Sequence, residues 1–348
     1  MDSKPIITKE TKNKLRVDYE GKASFKERVL RKLKASNTWL KAAVNVFRFI
    51  LMLGVSYVIL YPFFAKIAGS FMTKEDVVDA TVSLIPKNFT LDIYKYLIVE
   101  NNYLIALRNT ILLSLLCALI QTFISCLVGY GLAKFKFKGN KLLMLIVVVT
   151  MVIPHSTLSL AILRHFASFD LGVIMSWGYK GPIELILGKT LSLTNSFWPL
   201  IVLSIGGLAF KNGLYIYMMR QFFKGVPDEL EESAYVDGSG VLRTFFQIIL
   251  PLSIPMMITI FLFSFSWQWT DEFYTTLLFT STRNKMILMP DVYAEIPVSL
   301  QTNYAGQKLY YQVIRNTAGI MIIAPLVVMY LFCQRYLVQG IERSGLVG

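Results

Sequence analysis

Long apolar runs alternate with short basic or polar stretches along this chain. Runs free of charged residues cover 49–65, 109–133, 142–163, 190–210, 244–270 and 316–334. A helix needs roughly 17–25 residues to cross a bilayer at about 1.5 Å rise per residue. Each run therefore predicts one transmembrane helix, six in all. Hydrocarbon offers no partner to a loose N–H or C=O, so each crossing should be helical. The alternating segments of about 10 residues that mark a membrane β-barrel are absent from the sequence. The expected fold is all-α, an integral membrane protein.

Basic residues orient these spans. Residues 1–41 carry twelve Lys or Arg, and 134–141 carry four in eight residues. With six spans both segments fall on one side, so both termini are expected in the cytoplasm. The loop after the fourth run then lies inside as well. The expected division is a basic tail at 1–42, a six-helix domain at 43–340 and a short tail at 341–348. Within 22–41, Phe25, Val29, Leu30, Leu33, Trp39 and Leu40 stand among basic residues at near-helical spacing. That pattern suits a helix lying in the interface against anionic lipid. A disordered tail fits residues 1–20 equally well. The first apolar run starts too late for a cleavable signal peptide.

Composition agrees with a membrane protein. The 348 residues are 55% hydrophobic and 16% charged, where a soluble domain carries about 25% charge. The net charge of +13 comes largely from the tail. Anionic lipid explains that charge beside a span better than nucleic acid does. Cys117, Cys126 and Cys333 all fall inside predicted spans and read as packing residues, without metal or disulfide spacing.

The most informative polar segment is EESAYVDGSGVLRTFFQIILP, residues 231–251. Asp228 and Glu229 follow Pro227, and acidic residues suit a helix start. Ala234 and Ser233 are small enough for close approach. Gly238 can end a helix in the left-handed conformation. Leu242, Phe245, Phe246 and Ile249 give an apolar stripe at helical spacing, and Pro251 restarts a helix. A helix, a turn and a second helix at the membrane surface are predicted over 226–251. Asp237 reads as a turn residue or a contact.

Two further places carry candidate chemistry. The fourth run is followed by Lys211 and Asn212, after Gly206 and Gly207. A Lys-Asn pair in a span faces a cavity or a partner; alternatively Lys211 snorkels, or two shorter helices meet there. Near the end of the fifth run, Trp267 and Trp269 stand beside Asp271 and Glu272. Aromatic faces stack on sugar rings and carboxylates accept from hydroxyls, but an interfacial aromatic belt gives the same pattern. His155 and His165 read as structural or interfacial.

The spacing of Glu232, Ala234, Gly238, Ile248, Leu250 and Pro251 fits E-x-A-x(3)-G-x(9)-I-x-L-P. It resembles the EAA loop of membrane subunits of ABC importers. Three further stretches narrow the resemblance to the maltose-transporter type of carbohydrate permease. They are RNT…GYGLAKFKFKGNK, RQFFKGVPDELEESAYVDGSG and QRYLVQGI. The likeness covers most of 105–163 and 197–340. It implies an ABC type I importer permease fold in a bacterial cytoplasmic membrane, importing a carbohydrate, with an oligosaccharide expected. It implies that Glu231, Glu232, Ser233, Ala234, Asp237, Gly238, Leu250 and Pro251 serve contact with the ATPase. The implied partners are a second related permease subunit, two ABC ATPase subunits and an extracytoplasmic binding protein. The candidate pathway residues are Lys211, Asn212, Trp267, Trp269 and Asp271.

The chain departs from the family at Ser233, at Thr270 after Trp269, and in its SGLVG ending. Its external segments 165–192 and 281–312 are long. No G-x(4)-G-K-[ST] pattern is present, so ATP and magnesium are expected on the partner ATPases. No cofactor, metal or catalytic residue is expected in this chain. A non-sugar solute such as glycerol-phosphate or a peptide stays open. Mid-span regions without acidic residues argue against an ion-coupled secondary transporter.

Overall fold

The computed structural model describes residues 7–10, 16–19, 36–170, 181–279, 286–294 and 308–345. Two units divide between Ala65 and Lys66. The first contains a short antiparallel hairpin, β1 (Ile7–Glu10) with β2 (Arg16–Tyr19), pairing Ile7 with Tyr19. The sequence reading of this tail as disordered or helical did not anticipate strands. Most of the expected interfacial helix at 22–41 lies outside the described residues. So do most of segment 281–312 and the middle of 165–192. The first span is α1 (Ser36–Gly69).

In the second unit, α2 (Lys74–Val78) and α3 (Asp92–Val99) are short helices. Thr73 caps α2, and the Asp76 carboxylate accepts from the backbone and side chain of Asn88 at 2.7 and 2.9 Å. Then comes α4 (Tyr103–Lys134), on which the unit is built. It packs against α8 (Trp198–Ile205), α9 (Asn212–Lys224) and α12 (Leu250–Trp269). One stripe of α4 is polar. Thr110, Ser114, Gln121 and Ser125 are buried at helical spacing. Gln121 donates to Ser204 Oγ at 3.2 Å and accepts from Ser264 Oγ at 2.9 Å. One glutamine thus ties α4 to α8 and α12, which suits helices that gain nothing from hydrophobic burial in lipid.

The remaining elements connect these. α5 (Asn140–Val152) is followed by a 3₁₀ turn (His155–Leu158) and α6 (Ser159–Ala167). α7 (Pro182–Leu187) precedes α8. α10 (Glu229–Val236) and α11 (Val241–Thr244) follow α9. A π-helical turn (Phe245–Ile249) leads from α11 into α12, just before Pro251. The missing proline N–H cannot complete a regular ladder there, and a π turn accommodates the loss. α13 (Phe273–Leu278), α14 (Met289–Ala294) and the long α15 (Lys308–Gly345) complete the chain.

Four helices among the described residues are long and apolar enough to cross a membrane, or five if a bent pair counts as one crossing. These are the first, second, fifth and sixth predicted spans, with the third as the bent pair. Asn140–Val152 and His155–Ala167 meet at 93°. Pro154 holds Ile153 extended, at ψ 119°, because its ring clashes with a helical predecessor. The fourth predicted span is interrupted, and two shorter helices meet there, one of the readings of the sequence. It is helical over α8, breaks at 206–211, and resumes as α9. Gly207 at φ 70° and Lys211 at φ 63° both take the left-handed conformation, which a helix cannot continue through.

Candidate functional site

The predicted helix-turn-helix is present as α10 and α11. α10 begins with Glu229, Glu231 and Glu232 in its first turn, where negative charge meets the positive end of the helix. It ends in a two-bond left-handed cap. The Ser239 N–H donates to the Ala234 carbonyl at 2.9 Å and the Gly238 N–H to the Tyr235 carbonyl at 3.0 Å. Gly238 supplies the required conformation at φ 81°. A side chain there would meet nothing within 4 Å. Backbone conformation alone selects glycine.

The loop has an anchored face and an open face. Ala234 and Glu231 are buried, with Glu231 beside the buried Tyr130. Phe245 and Ile249 are buried in a cluster with Tyr130, Met219 and Phe223. Glu232, Ser233, Asp237, Gly238 and Pro251 are exposed, and Leu250 is partly buried. The predicted apolar stripe is divided. Phe245 and Ile249 face the bundle, whereas Leu242 is 71% and Val236 87% exposed. The second turn therefore offers apolar surface outward. Lys134, in the last turn of α4, ties the loop down through Asp228 and the Val226 carbonyl. The Lys134 ammonium beside Asp228 holds its carboxyl below the usual aspartate range.

The second region lies at the break between α8 and α9. A cavity of about 270 Å³ is lined by residues including Thr150, His155, Phe210, Lys211, Asn212 and Tyr274. Lys211 Nζ sits 5.0 Å from the Phe210 ring centre and 5.3 Å from that of Trp267. His155 Nδ1 and the Tyr274 hydroxyl are 2.6 Å apart. Trp267 and Asp271 line an adjoining small recess with Gln121 and Ser264. The Asp271 carboxylate accepts the Tyr274 backbone N–H at 3.2 Å, at the start of α13. Of the five pathway candidates, Lys211 and Asn212 face the cavity and Trp267 and Asp271 the recess. Trp269 does neither. It is 1% exposed, stacked on Phe265, and donates to the Ile322 carbonyl at 3.0 Å. It joins α12 to α15. His155 lines the cavity although its sequence position suggested only a structural part; the Pro154 break turns it inward.

These features define a class: a multi-pass helical membrane protein that carries a capped two-helix loop with an exposed face. Residues 121–343 match the family described as binding-protein-dependent transport system inner membrane component. The chain belongs to that family, and it is a multi-pass inner-membrane transport component. It is 29% identical over 309 residues to the polygalacturonan/rhamnogalacturonan transport system permease protein YtcP of Bacillus subtilis (strain 168), covering 87% of this chain and 97% of that protein. It is 27% identical over 307 residues to the galactooligosaccharides transport system permease protein GanQ of the same organism, covering 87% and 95%. The fold is similar to a chain of a bacterial ABC transporter involved in the import of the acidic polysaccharide alginate. There the TM-score is 0.65 at 17% identity, over 91% of this chain and 99% of that chain.

Proposed function

We propose that this chain is a membrane-spanning subunit of an ATP-driven ABC importer for a carbohydrate. It crosses the membrane six times, with α8 and α9 together forming the fourth crossing and both termini in the cytoplasm. An extracytoplasmic binding protein delivers the sugar. A second related permease completes the pathway, and two ATPase subunits supply the work.

The observation that carries this reading is the build of α10 and α11. Their inner face is anchored to α4 and α9. Their outer face leaves Glu232, Ser233, Val236, Asp237 and Leu242 open. A rigid loop with small, acidic and apolar residues exposed is suited to sit in a cleft of another subunit. Movement of that subunit would then pass to α4 through Lys134 and Asp228. The likeness to YtcP and GanQ, transport permeases for polygalacturonan/rhamnogalacturonan and galactooligosaccharides, supports a carbohydrate as the solute.

The test is affinity purification of the tagged chain from its native membranes, with mass spectrometry of what accompanies it. A second multi-span permease and an ABC ATPase are expected, with less ATPase held by Gly238→Asp. A chain that purifies only with itself would overturn the reading.

A further inference from the structure

We infer that the cavity between α8 and α9 is a subsite for a carboxylate-bearing sugar, with Lys211 as its cation. The inference rests on the carbohydrate reading above and adds the charge of the solute.

Depth comes first. α8 and α9 are joined to α4 at Gln121 and Ser125 through Ser204 and Asn212. These positions lie about 4 and about 10 Å along the axis from the centre of α4, at about 1.5 Å per residue. The break between α8 and α9 therefore lies alongside the middle part of α4. Polar groups at that depth mark binding and transport sites by default.

Charge comes next. Among the described ion pairs none involves Lys211. Its ammonium rests beside two aromatic faces instead, which is favourable for a cation but leaves its hydrogen-bonding capacity open. Among the described residues, no Asp or Glu lines the cavity. The acidic group of the adjoining recess, Asp271, is engaged by the backbone of Tyr274. Lys211 also stands at the position just before α9, a helix of 13 residues.

Asn212 supplies the independent observation. It is 0% exposed and lines the cavity, and its Oδ1 has no partner, although its Nδ2 donates to Ser125 Oγ at 3.3 Å. A buried amide oxygen without a donor is destabilising, and a sugar hydroxyl would satisfy it. Ligand pockets run from roughly 300 to 1,000 Å³, so this one holds a ring or two of a longer chain. A carboxylate on Lys211 and a hydroxyl on Asn212 together describe a uronate.

The test uses the full transporter, purified through this chain and placed in proteoliposomes with its binding protein. ATP-driven uptake is measured for trigalacturonate, galactotriose and glycerol-3-phosphate. Preference for trigalacturonate is expected, with Lys211→Met lowering its uptake about tenfold or more through loss of a charge-assisted bond. Lys211→Arg should keep most of it. Equal uptake of the two trisaccharides by the unmodified transporter, or no effect of Lys211→Met on their ratio, would overturn the uronate subsite and leave the carbohydrate reading standing. Uptake of glycerol-3-phosphate with neither sugar would overturn both. The preference of the unmodified complex is read without any variant, so a misfolded mutant does not leave the matter open.

Discussion

Lys134 joins the end of the central span to the start of the exposed loop: its ammonium meets the Asp228 carboxylate and donates to the Val226 carbonyl at 2.6 Å. The lysine side chain is only 6% exposed, whereas that of Asp228 is 76% exposed. An ion pair open to water contributes little to stability. Its importance is geometric, because it fixes α10 to α4. Lys134→Met removes the donor and leaves the Val226 carbonyl unpaired. Solute-stimulated ATP hydrolysis and uptake should fall severalfold while the complex still assembles. Lys134→Arg should restore much of both. Normal coupling in Lys134→Met would show that α4 does not receive the loop's motion.

The same pair makes a prediction about pH. Lys134 depresses the Asp228 carboxyl in the folded protein. A depressed carboxylate stabilises at pH above its unfolded value, and the contribution is lost as pH falls through the lower folded value. The stability difference between the native chain and Asp228→Asn should therefore be constant from about pH 8 to about pH 5. It should shrink only below the ordinary aspartate range near about 4. Thermal melts of the purified complex across that range test this; a change centred between pH 6 and 7 would implicate another group.

Gly238 separates conformation from space. It sits at φ 81° with nothing near its missing side chain. Asparagine tolerates the left-handed region better than other residues. Gly238→Asn should keep most of the uptake. Gly238→Val should lose it, because a β-branched residue forces the cap open. Gly238→Asp should fit the backbone about as well as asparagine yet add charge to the open face, and uncouple hydrolysis from transport. If aspartate and asparagine behave alike in coupled ATPase assays, the open face is not a docking surface.

A close helix approach gives a test of the fold. A side chain at Gly129 would bring its Cβ to 2.6 Å from Met219 Cβ and 3.0 Å from the Arg220 backbone nitrogen. Gly131, two residues on, would meet nothing within 4 Å. Gly129→Ala should destabilise the α4–α9 contact by about 1–3 kcal/mol, as overpacking does. Gly131→Ala should leave the melting temperature unchanged. Equal effects would mean that α4 and α9 do not meet as described.

The two tryptophans of the fifth span should also part company. Trp269 is buried between α12 and α15, so Trp269→Ala should cost about 3–5 kcal/mol of stability. Trp267 is 47% exposed beside Lys211. Trp267→Ala should leave melting nearly unchanged and lower uptake. Thermal stability and transport measured together on both variants decide this.

Much of this was legible from residue order alone. Hydrophobic runs located the helices, because crossing a bilayer fixes both their length and their backbone pairing. Pro227, Gly238 and Pro251 punctuated the loop, since each restricts or frees backbone conformation locally. Depth, facing and partnership were decided only by tertiary structure. Trp267 and Trp269 are two residues apart and alike in sequence, yet helical rotation turns one toward Lys211 and the other into the core. The sequence left open whether the Lys211–Asn212 pair faces a cavity, snorkels or marks two shorter helices; left-handed residues at Gly207 and Lys211 end one helix and start the next. The 93° bend at Pro154 brings His155 to the same cavity. Lys134 and Asp228 are 94 positions apart, so no local pattern could pair them. Apolar period and backbone-restricting residues act over one or two turns, whereas a site assembled from separate helices depends on how those helices cross.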